Sequence, residues 1–251
     1  MMVRRAFAIF LIAAAGFHSS GCFAGDKPVV LFLYDLSASF GSVTKGGGPM
    51  RTAIVSVLEG MHYPASLAFG VIGNCNCECD CRARPRWLKR SCSPPTWIDG
   101  APTAVGEVTN TKTNHDIYNG YVDGISAQIL RWRAHHADMA ASTDLLGGLC
   151  GASRIFNANR RRRMYLVVLS DLKNRPAKGC GNVPMKSLRL DDVEIFVLNE
   201  RGRGITVSIP DEATFDHNLA DAHARPAILV SSGREIADAI NAEANHDALR
   251  R

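Results

Sequence analysis

Four compact apolar runs limit what this chain can become: residues 28–34, 66–72, 164–169 and 193–198. Each is short for a helix, is rich in Val, Leu, Ile and Phe, and shows little of the polar alternation of a half-wet strand. Strands of that composition are buried on both faces, as in parallel sheets. Helical spacing fills the intervals between them. Ile54, Val55 and Leu58 share one face of residues 51–59, and Ile117, Tyr121, Ile125, Ile129 and Trp132 recur along residues 116–132. A further helix is predicted after Thr143, with Leu145, Leu146 and Leu149 inward. A short strand over residues 227–230 precedes a last helix, announced by the capping-box pair Ser232 and Glu235. Alternating strands and helices predict an α/β fold: a doubly wound, mostly parallel sheet with helices on both faces. At 251 residues and 46% hydrophobic content, one such domain is expected, over residues 25–251.

From about residue 73 to 113 the apolar period is lost. Cysteines, prolines, Trp87, Trp97 and alternating charges replace it, so this stretch reads as a Cys-rich irregular insertion. Cys75, Cys77, Cys79 and Cys81 alternate, and Cys92 follows. Alternate residues of an extended segment point the same way, so four thiolates could gather zinc or copper there. Disulfide bonding is the plainer reading, because Glu78, Asp80 and five basic residues between Arg82 and Arg90 keep the segment solvated. Further on, Cys150 falls one residue past Leu149 on the helix after Thr143. There it is expected to be buried and free, with a bond to Cys180 or to the insertion as the alternative.

Residues 1–24 read as an export signal: Arg4 and Arg5, an apolar run over residues 6–15 too short to span a bilayer, then small and polar residues. Two processing sites compete. Residues 19–22 resemble a lipoprotein box ending in Cys22, and cleavage after Ala24 is the other. Eight cysteines agree with an oxidising compartment, so the periplasm or cell envelope is expected. A formal charge of +5 does not call for nucleic acid.

Chemistry concentrates where the first apolar run ends, at Asp35-Leu36-Ser37-Ala38-Ser39, which sets one carboxylate and two hydroxyls on a tight loop. Asp171 ends a second run in the same way. In open α/β sheets ligands collect at the carboxyl edge, where strand order reverses. If the two runs are neighbours, both acids face one crevice.

These residues resemble the metal-ion-dependent adhesion site of the von Willebrand factor type A family, which uses an Asp-x-Ser-x-Ser loop, a distant Thr and a later Asp. Asp35, Ser37 and Ser39 match the first element, Thr143 the second and Asp171 the third. The resemblance covers about residues 28–230 without the insertion. It implies a cation held largely by hydroxyls, with acids acting through water, that accepts a carboxylate from a protein ligand. An all-oxygen donor set independently favours a hard ion, Mg²⁺ or Mn²⁺, with Ca²⁺ as a further option. Leu172 departs from the family, which often has Gly after its final Asp, and the insertion lengthens the interval between Ser39 and Thr143.

Three functions follow in order of support. The first is an exported binding module that captures a protein through the cation. An envelope assembly lipoprotein, in which the metal only orders loops, is the second. Third is a metal or redox protein built on the cysteine cluster. No nucleophile elbow, phosphate loop or zinc-protease helix is present, so no catalytic residue is assigned.

Overall fold

The computed structural model describes residues 28–35, 48–61, 65–73, 98–100, 123, 143–160, 162–176, 183–199 and 207–250. The predicted export signal, the alternating cysteines and nearly all of the helix expected over residues 116–132 lie outside them.

All four apolar runs are strands: β1 (Val29–Asp35), β2 (Ser66–Ile72), β4 (Met164–Leu169) and β5 (Val193–Leu198). A three-residue strand, β6 (Ile228–Val230), completes one side, and β3 (Ile98–Gly100) the other. The order across the sheet is β3-β2-β1-β4-β5-β6. Every pairing is parallel except that of β3 with β2, where Phe69 faces Ile98 and Leu67 faces Gly100. Residues 98–100 correct the expectation of a wholly irregular insertion. Without them the outer backbone groups of β2 would have no ladder partner there.

Alternate residues of β1 supply two separate cores, which is why the run is apolar throughout. Val30, Phe32 and Tyr34 pack beneath α1 (Gly48–Gly60) and α4 (Gly233–Arg250). Val29, Leu31 and Leu33 pack beneath α2 (Leu145–Ala158) and α3 (Ile209–Asp221). The first face is drawn tight by small residues. A Cβ on Gly60 would come within 2.5 Å of the Ala237 Cβ, and one on Gly233 within 2.3 Å of the Ala53 carbonyl oxygen. Asn241 then donates a buried hydrogen bond from Nδ2 to the Gly60 carbonyl at 2.8 Å, closing the end of α1.

Helix α3 was not foreseen in the sequence. Only Phe215 and Leu219 of it are buried, so its apolar period is faint, although Ser208 caps it and Pro210 stands in its first turn. The capping pair before α4 meets: Glu235 N donates to Ser232 Oγ at 3.4 Å, while the Glu235 carboxylate accepts from the Ser231 and Ser232 hydroxyls and takes its backbone N–H from Ser231 instead. Those bonds hold the exposed Glu235 carboxyl below the ordinary carboxylate range.

Candidate functional site

The strand order reverses between β1 and β4. Helix connections therefore leave in opposite directions there, and a crevice opens at the carboxyl edge. Tyr34 pairs with Leu169, so the next residues, Asp35 and Ser170, leave the sheet side by side. Ser170 Oγ donates to Asp35 Oδ2 at 2.6 Å and accepts from the Leu172 amide at 3.0 Å. Asp35 is completely buried, and this hydroxyl ties the end of β1 to the loop after β4.

In that loop Leu172 has φ of 62°, a left-handed conformation that costs a branched side chain about 1 kcal/mol or more. The departure from glycine at this position now has a physical account. Leu172 keeps the backbone conformation that glycine adopts freely, and its side chain is buried in the core beneath α2. The turn brings Lys173 back onto Asp171. Its amide meets Oδ1 at 3.2 Å and its ammonium meets Oδ2 at 2.8 Å. Asp171 itself is buried.

Thr143 reaches the same edge from the other side. Its N–H and C=O pair with those of Arg175 at 2.9 and 2.8 Å, a two-bond bridge to the loop that carries Asp171. Next to it, Asp144 N donates to Gly73 O at the end of β2 at 2.7 Å. Asp144 also caps α2, accepting from Gly147 N at 3.0 Å, while Asn174 Oδ1 accepts from Leu145 N at 2.9 Å. The start of α2 is thus stitched to the loops on both sides of β1, and Thr143 is buried there.

Of the five residues singled out in the sequence, Asp35, Thr143 and Asp171 come together at this edge. Ser37 and Ser39 lie outside the described residues. Among the described residues no three of His, Cys, Asp and Glu gather as metal ligands. A cation here would take two carboxylates and complete its shell with hydroxyls and water, the donor set of a hard ion. Ser170, Lys173, Asp144 and Asn174 escaped the sequence reading. Their adjacency to Asp171 and Thr143 was the available signal.

Cys150 is buried, as expected, but it is disulfide-bonded, so the expectation of a free thiol is corrected. Its place beside Leu149 foretold burial and carried no information about what its sulfur reaches. Every other cysteine falls outside the described residues.

The opposite edge of the sheet holds a cleft of about 170 Å³ lined by Arg163, Tyr165, Asp192, Glu194, Arg225 and Glu243, among others. Tyr165 donates to Glu243 Oε2 at 2.7 Å, and Arg163 pairs with the same oxygen at 2.9 Å. Burial first, and the Glu243 carboxylate second, push the Tyr165 phenol far above its ordinary range, so it stays a donor. The arginine run ahead of β4 serves the turn: Arg160 bonds Asn157, and Arg162 bonds Asn159 and the Pro28 carbonyl.

Fold and edge together define a doubly wound α/β domain with two acids, Asp35 and Asp171, at the switch point of the sheet. No family model and no curated protein matches the chain. Among solved structures it is similar to an aerotolerance-related membrane protein from Bacteroides fragilis NCTC 9343, with multiple mutations to serines. The identity is 15%, over 87% of this chain and 99% of that one, with a TM-score of 0.48. It is also similar to the conserved hypothetical protein BatB from Bacteroides thetaiotaomicron. There the identity is 12%, over 88% and 98% of the two chains, with a TM-score of 0.49.

Proposed function

We propose that this protein is an exported envelope module that binds Mg²⁺ or Mn²⁺ through Asp35, Ser37, Ser39, Thr143 and Asp171, and uses it to capture a protein partner. The observation that carries the reading is the convergence of Asp35, Asp171 and Thr143 at the crevice between β1 and β4. Buried carboxylates are costly unless positive charge meets them, and at this edge Lys173 meets Asp171. Ser170 fixes the Asp35 carboxylate, and the Arg175 bridge fixes the Thr143 backbone, so these two donors need little reordering. When bound, the cation supplies an open position for a carboxylate of the partner. Export, with lipid on Cys22 or cleavage after Ala24, rests on residues 1–24 of the sequence.

Metal-dependent stability tests the reading. Mn²⁺ at a hundredfold above its dissociation constant is expected to stabilise the fold by about 2.7 kcal/mol. That shift should vanish in Asp35→Asn and Asp171→Asn, whose metal-free melting curves confirm folding. An unchanged response in both variants overturns the assignment.

A further inference from the structure

Lys173 stands where no sequence pattern placed a functional residue, yet it meets both oxygens of Asp171. Oδ1 takes its backbone amide at 3.2 Å and Oδ2 its ammonium at 2.8 Å. Residues two apart along an extended chain point the same way but stand about 7 Å apart along it, too far for the amide of one to meet the carboxylate of the other. Here the left-handed turn at Leu172 folds the chain back, and the buried Leu172 side chain with the Ser170 hydroxyl pins that turn. The contact is therefore built into the loop. The two side chains differ sharply in exposure, 10% for Asp171 and 39% for Lys173, so the lysine can swing into water while the carboxylate stays.

From this geometry we infer that Lys173 is a tethered cation that competes with the divalent ion for Asp171. The inference rests on the metal-site reading proposed above and adds a determinant of its affinity. Without metal, the ammonium supplies positive charge to Asp171. A divalent ion approaching Asp171 meets a positive group already on Oδ2, and the two repel. Ion entry and lysine departure are then one exchange, with no net loss of positive charge at the carboxylate. Half-exposed ion pairs are worth up to about 1 kcal/mol. The competition therefore weakens divalent binding about fivefold, the same energy expressed as a ratio of constants.

Mn²⁺ binding to the full chain, followed by the electron paramagnetic resonance of the free ion, separates the possibilities across wild type, K173Q, K173R and D171N. Lys173→Gln is expected to bind Mn²⁺ about fivefold more tightly and to melt lower without metal. Lys173→Arg keeps the charge and is expected to stay near wild type. If Lys173→Gln and wild type bind equally while Asp171→Asn has lost the ion, the role of Lys173 is overturned and the site stands. If neither wild type nor Lys173→Gln binds Mn²⁺, or if Asp171→Asn binds as well as wild type, both readings fall.

Discussion

At the carboxyl end of the sheet Asp35 and Asp171 are buried, and a hydroxyl, a backbone amide and one lysine on a left-handed turn meet their oxygens. At the amino end Glu194 and Glu243 sit in a cleft with Arg163, Arg225 and Tyr165, and there the cations are guanidinium groups. Both ends concentrate acids. They differ in what it costs to hold them. At the amino end the left-handed residue His223 stands outside the cleft lining. Arg163 and Glu243 are part-exposed there while Glu194 keeps one oxygen buried, whereas the carboxyl end accepts a strained backbone at Leu172 and deep burial of both acids. Strain beside buried charge is what the ligand site proposed above calls for, and ion pairs in a wet cleft contribute little to stability.

The largest effect that could break this comparison lies at Leu172. Replacement by Ala removes buried methyl groups and keeps the strain, so a loss of about 3 kcal/mol is expected. Leu172→Gly loses the same packing and relieves the backbone, and about 2 kcal/mol is expected instead. Urea denaturation of both variants reads the order. Glycine less stable than alanine would mean that the turn stores no strain.

Tyr165→Phe probes the other end. Its hydroxyl meets a half-exposed carboxylate that keeps Arg163, so a loss of about 1 kcal/mol is expected. A loss as large as that of Leu172→Ala would make the amino end the stiffer of the two.

The smallest effect concerns Glu194, one of whose oxygens is buried without a hydrogen-bond partner among the described residues. Burial first, and the Glu243 charge second, raise its carboxyl above the ordinary value of about 4.5. Between 4.5 and the raised value the folded protein holds more of this proton than the unfolded chain, so stability falls as pH rises through that window. Glu194→Gln is expected to stabilise the protein at pH 7 by less than about 1 kcal/mol, since the group is partly exposed. The gain should shrink toward pH 4.5, as denaturation at the two pH values would show. A gain independent of pH would remove Glu194 as its source.

The four long strands were legible because each is apolar on both sides, and the two acids because each directly follows such a run. Legibility failed where the physics is not periodic. Helix α3 buries only Phe215 and Leu219, and β3 forms because β2 has an open edge. The oxidation of Cys150 depends on a residue remote in sequence. Lys173 was hidden for a subtler reason: its approach to Asp171 comes with positive φ at Leu172, and a leucine there gives no hint of it. Glycine in that place would have announced the turn.

The central pair of strands has a consequence for how the chain acquires its structure. Strand β1 lies between β2, which follows soon after, and β4, just past which Ser170 stands 135 residues from Asp35 in sequence. Closing so long a loop carries an entropic cost, and folds dominated by distant pairings fold slowly. A chain emerging from its N-terminus therefore carries one open side of β1 until most of its length has appeared. The sheet can be completed only when β4 arrives.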